Sequence, residues 1–306
     1  MKFIILIITL TFLISCGGSS SAKNEQMKIF DVTIKPITTG TWYKPDTNTS
    51  WQWQLKGDIK TSYNVAIYDI DLFDSNVTLI QSLKNDRKKV ICYFSAGSYE
   101  NWRDDKENFP IEALGNVMDG WIDEKWLDIS NEGLADVMRA RLDLATQKGC
   151  DGVEPDNMDG YTNNTGFSLS ANDQLAYNKF IANEARKRGL SVGLKNDLDQ
   201  IIELEPYFDF SVNEQCHEYD ECNKMQAFIN ANKPVLHAEY SQNYVDNNNS
   251  ERDIMCADQI IQTFKTLVLP VDLDDSFRLD SIPRLSAKFF IDLIERGNGN
   301  FCCSVL

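Results

Sequence analysis

Apolar and polar positions along the chain follow two different patterns. Short runs rich in Val, Ile, Phe and Tyr predict strands, and longer stretches with apolar residues every three or four positions predict helices. The clearest helical stretch, 131–148, has Ser130 or Asn131 as its N-cap and Gly149 just past its end. A second helix is predicted over 171–188. The predicted strands are 51–55, 64–70, 89–95, 150–154, 190–195, 208–213, 234–239 and 266–272.

Strands that alternate with helices predict parallel βαβ units. Eight such units over roughly 270 residues match the size of a closed (β/α)8 TIM-like barrel. An open doubly wound sheet is the alternative, but no glycine-rich phosphate-binding motif follows any predicted strand. We therefore expect an α/β protein in which a single barrel domain covers 36–306.

The N-terminus predicts export. Residues 1–15 contain an apolar run that is too short to span a membrane and that reads as a signal peptide. The run ends at Leu13-Ile14-Ser15-Cys16, which resembles a bacterial lipobox and predicts lipid attachment to Cys16; an ordinary signal with a chance cysteine is the alternative. Residues 16–35 are predicted to be a flexible tether. We expect the protein to be anchored to the bacterial envelope by lipid, or secreted.

The formal charge of −16 argues against nucleic acid and anionic lipid surfaces as partners. The charge suits a cationic partner, or it simply keeps the chain soluble. The only membrane contact we expect is the lipid anchor, and we expect a monomer.

Seven cysteines besides Cys16 predict disulfides in an exported protein. Cys216 and Cys222 could close a small loop, and Cys256 could pair with Cys302 or Cys303. Whether Cys92 and Cys150 are bonded is left open. No metal site is expected, because the chain has two histidines and no paired CxxC motifs.

Acidic residues collect at the carboxyl ends of the predicted strands, as in YDIDLFD and DGVEPDNMD. Catalytic groups of barrel enzymes lie at that end. Because side chains of a strand alternate between two faces, Glu154 and Asp156 share one face, as do Asp69 and Asp71 on an earlier strand. We expect all four to face the barrel mouth. Asp69 could instead be a structural acid, and Asp156 could cap the next turn.

Two carboxylates across a mouth are the groups that hydrolyse a glycosidic bond, one as acid and one as base or nucleophile. Lys195 could pair with one acid and keep it ionised. Aromatic residues near the mouth, among them Tyr93, Trp102 and Tyr240, could pack on sugar faces. Nucleophilic triads are poorly supported, because no GxSxG motif occurs.

The blocks WQWQL, YDIDLFD, VICYFSAGSYENWR, GCDGVEPDNMDGY, GLKND and NEQCHEYDEC occur in this order. With them the chain resembles glycoside hydrolase family 114, the endo-α-1,4-polygalactosaminidases, from about Thr41 to Tyr240. The resemblance implies a TIM-like barrel that cleaves α-1,4-linked galactosamine polymers without a cofactor. It implies that Glu154 is the catalytic Glu and that Asp71, or else its neighbour Asp69, is the Asp partner. It also supports the Cys216–Cys222 disulfide.

A cationic galactosamine polymer would give the acidic charge a use. The expected substrate-binding residues are Asp69, Tyr93, Trp102, Asp156, Asn157, Lys195, Asp197, Glu214, Glu239 and Tyr240. Two alternatives stay open: a catalytically inactive carbohydrate-binding barrel at the cell surface, and a glycosidase of different sugar specificity. Retention or inversion of the anomeric centre also stays open.

Overall fold

The computed structural model describes residues 28–281 and 303–305. Within this part of the chain, eight parallel strands lie side by side in a curled sheet, which confirms the predicted TIM-like architecture. Every predicted strand is present; the strand over 89–95 has the predicted ends, and the ends of the others are shifted. In spatial order they are β1 (Trp51–Gln54), β2 (Ile67–Asp71), β3 (Lys89–Ser95), β7 (Gly152–Asp156), β8 (Ser191–Lys195), β9 (Phe210–Glu214), β10 (Val235–Glu239) and β11 (Lys265–Val268).

Helices lie between the strands, and the two predicted ones are present. The helices are α1 (Val77–Asn85), α2 (Leu134–Lys148), α3 (Ala171–Lys187), α4 (Ile201–Leu204), α5 (Gln226–Asn230), α6 (Gln242–Asp246) and α7 (Glu251–Ala257). Gly149 ends α2 in the left-handed conformation, as predicted. The predicted N-cap of α2 is wrong, because the Asn131 side chain accepts the Gly133 amide in a turn that precedes the helix. No helix among the described residues has the length and apolar character needed to cross a bilayer.

The sheet separates two apolar cores. The inner core fills the barrel with alternate residues of the strands and includes Trp51 and Trp53, whose rings stack 5.5 Å apart. The outer core lies between the sheet and the helices. Trp51 of β1 donates from Nε1 to the Lys265 carbonyl of β11 at 2.8 Å, which joins the first and last parallel strands.

A three-stranded antiparallel sheet, which the pattern of the sequence did not predict, follows β3. It consists of β4 (Ser98–Glu100), β5 (Leu114–Met118) and β6 (Trp121–Leu127), and we call it the inserted sheet. Gly97 begins it with no room for a side chain, because a Cβ there would lie 1.8 Å from the Asn157 carbonyl oxygen. The inserted sheet is therefore fixed against the end of β7. Strands β12 (Leu279–Ser281) and β13 (Cys303–Val305) extend the main sheet beside β11 in antiparallel pairing.

Part of the predicted tether belongs to the fold. Phe30 is buried and packs edge-on against Tyr177 and Phe180 of α3. Asn183 of α3 donates to the Lys35 carbonyl. The tether boundary at residue 35 is corrected accordingly, because an apolar residue at position 30 anchors 28–35 to the barrel. The predicted signal peptide and the lipidation of Cys16 lie outside the described residues.

Two disulfides are described. Cys216–Cys222 is confirmed, and Cys92 is bonded to Cys150, which answers the question left open by the sequence. Cys256 is also disulfide-bonded. Its predicted pairing with Cys302 or Cys303 concerns side chains outside the described residues.

Candidate active site

A cavity of about 640 Å³ opens at the carboxyl ends of the barrel strands, and we call it the main cavity. Residues from the ends of the strands form its floor, and the inserted sheet forms one wall. The floor residues are Asp71, Tyr93, Asp156, Lys195, Glu214 and Tyr240. This is the end of a parallel barrel at which catalytic groups lie.

Lys195, the last residue of β8, is the centre of the floor. Its Nζ lies 3.1 Å from Asp156 Oδ1, 3.3 Å from Glu214 Oε2 and 3.3 Å from Glu154 Oε1. Burial lowers the pKa of Lys195, but the negative charges of Asp156, Glu214 and Glu154 outweigh it and raise the pKa well above its usual range. An ammonium ion therefore joins three carboxyl groups.

Asp156, the last residue of β7, receives three hydrogen bonds. Lys195 and the Asn157 amide donate to Oδ1, the amide at 2.7 Å, and the Tyr93 hydroxyl donates to Oδ2 at 2.8 Å. Asn157 has a φ of 60°, and its side chain donates to Ser95 at 2.9 Å, which holds the turn. Donors on both oxygens stabilise a carboxylate and fix its orientation. The side chain remains 17% exposed toward the main cavity.

Glu214, the last residue of β9, mirrors this arrangement. The Tyr240 hydroxyl donates to Oε1, and the Asn196 side chain donates to Oε2 at 3.1 Å. Its side chain is 25% exposed, more than that of Asp156. Two carboxylates that a substrate can reach are therefore held on one ammonium group.

Glu154 faces the barrel interior as predicted, but it lies below this layer. It contacts Asp69, and both side chains are fully buried. Apart from their contact with each other and the Lys195 ammonium group 3.3 Å from Glu154 Oε1, these four carboxyl oxygens have no hydrogen-bond donor among the described residues. Burial raises the pKa of Asp69 to about 7, and burial together with the charge of Asp69 raises the pKa of Glu154 well above its usual range. The pair therefore holds a proton between its two members.

Asp71 is occupied by structural contacts. Arg103 binds its carboxylate through two bonds, of 3.0 and 2.6 Å, and the amides of Phe73 and Asp74 both donate to Oδ1 at 2.8 Å. Arg103 also binds Glu100 at 2.7 Å. The structure thus places Asp71 on the floor of the main cavity but does not leave it and Glu154 as a free pair flanking an opening.

The main cavity is acidic. Among the described residues that line it, nine are Asp or Glu, against the cations Lys56, Arg103 and Lys195. Burial raises the pKa of Glu124 on the inserted sheet to about 7 and that of Asp159 to about 6. Glu124 accepts a hydrogen bond from Ser98 at 2.6 Å. Carboxylates with too few protein cations provide a field that attracts a cationic ligand.

The model of glycoside hydrolase family GH114 matches residues 33–282 of the chain. The chain belongs to glycoside hydrolase family 114. It is a glycoside hydrolase that resembles the endo-α-1,4-polygalactosaminidases of that family.

Solved structures agree with this membership. Ega3 of Aspergillus fumigatus, in a crystal structure with galactosamine, is 42% identical with a TM-score of 0.73, and the match covers 78% of this chain and 97% of Ega3. The glycoside hydrolase domain of PelA from Pseudomonas aeruginosa is 11% identical with a TM-score of 0.58, over 74% of this chain and 96% of that domain, and supports the fold alone. Among curated proteins, none matches the chain.

Three residues expected to bind substrate in this family 114 chain remain to be placed: two line a cavity and one does not. Trp102 lines the main cavity with half of its surface exposed. Asp197 lies beside Glu214 in a neighbouring cavity. Glu239 does not reach either cavity. It faces the helices from β10, because Leu236, Ala238 and Tyr240 occupy the inner face, and its carboxylate accepts the His217 amide at 2.8 Å.

Several cavity residues of this family 114 chain lie on the inserted sheet or beside it, and the sequence pattern did not single them out. Arg103 and Glu124 are buried there, and Trp121 is exposed toward the cavity. The alternation in WIDEKWL (121–127) was the available signal, since Glu124, Trp126 and Leu127 are buried and the first residues are exposed. This signal was missed because the fold was predicted from strands that alternate with helices, and the strands inserted after β3 do not alternate with helices.

One group of metal-ligand residues lies close together in the described part of the chain: Cys216, Cys222 and His237. The two sulfurs form a disulfide. A metal ion binds thiolate rather than disulfide sulfur, so these residues do not fit a metal site.

Proposed function

We propose that this family 114 enzyme is an endo-glycosidase that hydrolyses α-1,4-linked galactosamine polymers, with Asp156 and Glu214 as the reacting carboxylates. The observation that carries the proposal is their shared contact with Lys195 at the floor of the main cavity. Both are partly exposed and lie at strand ends, whereas Glu154 is fully buried.

Asp156 is the nucleophile in this mechanism, because its three donors stabilise a negative charge. It attacks the anomeric carbon while Glu214, which enters this step as the neutral carboxylic acid, gives its proton to the departing glycosidic oxygen and becomes a carboxylate. The bond from the anomeric carbon to that oxygen breaks, and a covalent glycosyl-enzyme forms. Glu214 then removes a proton from water, the water attacks the same carbon, and Asp156 leaves as a carboxylate.

The spacing of the two carboxylates supports retention of the anomeric configuration. One oxygen of each lies within 3.3 Å of the same nitrogen atom. Two oxygens held in this way are closer than the about 6.5–9.5 Å that separate the carboxyl groups of inverting enzymes.

An amino-sugar substrate is supported by the charge of the main cavity and by the galactosamine bound to Ega3. The free amine of galactosamine is cationic near neutral pH, and the cavity walls supply carboxylates that have no partner of opposite charge among the described residues. An N-acetylated polymer has no such charge and would be attracted less.

The experiment compares cleavage of fully de-N-acetylated and fully N-acetylated α-1,4-galactosaminan, by the release of reducing ends. We expect the wild type to prefer the deacetylated polymer and to release oligomers rather than monomers. Asp156→Asn and Glu214→Gln should each lower kcat by at least about 10³-fold with unchanged Tm. Equal turnover of wild type and both variants would refute the assignment.

The pair suggested by the family motif, Glu154 and Asp71, is the competing assignment, and the same assay separates the two. Glu154→Gln keeps the shape and the hydrogen-bonding capacity of a buried group. Under our proposal it retains more activity than Asp156→Asn. If Glu154→Gln and Asp71→Asn are inactive while Asp156→Asn and Glu214→Gln are active, the competing pair is correct.

We also propose that Cys16 carries a lipid, which would hold the enzyme on the cell envelope. The lipobox-like run from Leu13 to Cys16 supports this. Mass spectrometry of the N-terminal peptide is the test: acyl groups on Cys16 are expected, and an unmodified thiol there contradicts it.

A further inference from the structure

A second cavity of about 340 Å³ adjoins the main cavity, and we call it the side cavity. Asp159, Asn196, Glu214 and Gln215 line both. The two cavities therefore adjoin at these four residues, and Glu214 lies on their common border.

Two buried acceptors among the residues that line the side cavity lack donors. Asp197 is 3% exposed; its Oδ2 accepts from Asn178 at 2.8 Å, but its Oδ1 accepts from no group among the described residues. Asn213 is 1% exposed, and its Oδ1 is also without a donor in that part of the chain. A buried acceptor without a donor is unfavourable, so a ligand that brings donors would be stabilised here.

The orientation of the Asn213 amide follows from its neighbours. Asn196 donates its Nδ2 to Glu214 Oε2 at 3.1 Å, and its Oδ1 accepts the Glu214 amide at 3.1 Å. Asn213 must therefore donate its own Nδ2 to Asn196 Oδ1. Asn213 Oδ1 therefore remains an acceptor. If the Asn213 amide were flipped, its Oδ1 would lie against Asn196 Oδ1, and two acceptors would face each other.

The side cavity also has few cations. Lys224 is the one basic residue among the described residues that line it, and Asp199 holds it at 2.9 Å. Burial, and then the charge of Asp159, raises the pKa of Asp197 to about 8. A bound ammonium group would offset these unfavourable charges. Tyr161 and Tyr219 line the same space and offer ring faces to a sugar.

We propose that the side cavity is a subsite for a further galactosamine unit of the polymer, with Asp197 binding its ammonium group and the Asn213 oxygen accepting from its amine or hydroxyl groups. This inference rests on the proposed function, and it adds a second point of charge recognition, away from the cleaved bond.

The test is a comparison of Asp197→Asn with wild type on α-1,4-galactosamine oligomers of increasing length. Asn tolerates the left-handed backbone at this position, where φ is 48°, and can still accept from Asn178. We expect KM to rise about tenfold or more for the longest oligomers, with a loss that decreases as the oligomer shortens and with little change in kcat. Asn213→Ala should show the same length dependence.

Asp199→Asn is the matched control. It makes the same change from acid to amide in the same cavity, but at an exposed carboxylate that Lys224 already neutralises. Its KM values should stay near wild type at every length. Equal effects of Asp197→Asn and Asp199→Asn would overturn the subsite, because general electrostatics would then explain both.

A third measurement uses oligomers that are N-acetylated at single units. Wild type should disfavour an acetylated unit at the side-cavity position, and Asp197→Asn should lose that preference. A cation site is the rival, so a Tm increase with calcium chloride alone that Asp197→Asn abolishes would also overturn the proposal. If wild type cleaves no oligomer, the proposed function fails; if it cleaves them all and Asp197→Asn behaves as wild type, the subsite alone fails.

Discussion

The carboxyl groups of Asp69 and Glu154 contact each other inside the barrel, directly beneath Lys195, and neither is exposed to solvent. Two carboxylates cannot both be charged at such a site, because burial and mutual repulsion disfavour the second charge. The pair therefore contributes one proton and about one negative charge to the floor of the main cavity. It links the stability of the fold to pH.

Asp69→Asn should weaken the pH dependence of stability. The pKa of Asp69 is raised from 3.8 to about 7 in the folded state, so the folded protein binds more protons than the unfolded protein between these values. The free energy of unfolding therefore falls as pH rises from about 4 to about 7. An amide cannot ionise, so the decrease in Tm between pH 5 and pH 8 should be smaller in the variant. The exposed Asp58→Asn is the control, and identical profiles for wild type and Asp69→Asn would contradict the account.

Arg103→Met should destabilise the protein by about 3–5 kcal/mol, because it removes the cation bound to the buried Asp71 and leaves the buried Glu100 with Arg141 alone, at 3.6 Å. Urea denaturation measures the loss. Asp136→Ala, which breaks an exposed pair with Arg139, should leave the midpoint unchanged. Similar midpoints for Arg103→Met and wild type would mean that Asp71 does not depend on this contact.

The two disulfides should differ in their contribution to stability. Cys92–Cys150 closes a loop with a sequence separation of 58, and Cys216–Cys222 closes one of 6. Chain entropy then gives about 4 kcal/mol for the long loop and about 2 kcal/mol for the short one. Thermal denaturation of the two double Cys→Ala variants checks this order. A greater loss from the short loop would contradict it.

Lys195→Met should abolish most activity, because it removes the cation that joins Asp156 and Glu214. We expect kcat to fall by about 10²–10⁴-fold. Lys56→Met removes another cation that lines the main cavity, but one paired with Asp272 at the surface, and should have a much smaller effect. Comparable losses of kcat in both variants would show that activity depends on the net charge of the main cavity rather than on the contacts of Lys195 with Asp156 and Glu214.

The strand pattern predicted the barrel correctly. It did not predict which of the inward-facing residues reach the main cavity and which lie buried below it. Period-two alternation correctly placed Glu154 and Asp156 on the inner face of β7, but it contains no information on which of them reaches the cavity. The contact of Asp71 with Arg103 could not be predicted, because Arg103 lies beside the inserted sheet and a contact over 32 positions leaves no local signal. Glu239 was expected at the mouth because it ends a strand, yet it lies on the outer face.

Chemical rescue tests the central claim most directly. In Asp156→Gly, sodium azide can occupy the space of the missing carboxylate and attack the anomeric carbon, while Glu214 still protonates the leaving group. The account predicts that the variant is inactive alone, regains turnover with azide and forms a glycosyl azide that mass spectrometry detects. Rescue of Glu154→Gly or Asp71→Gly, with none for Asp156→Gly, would contradict it.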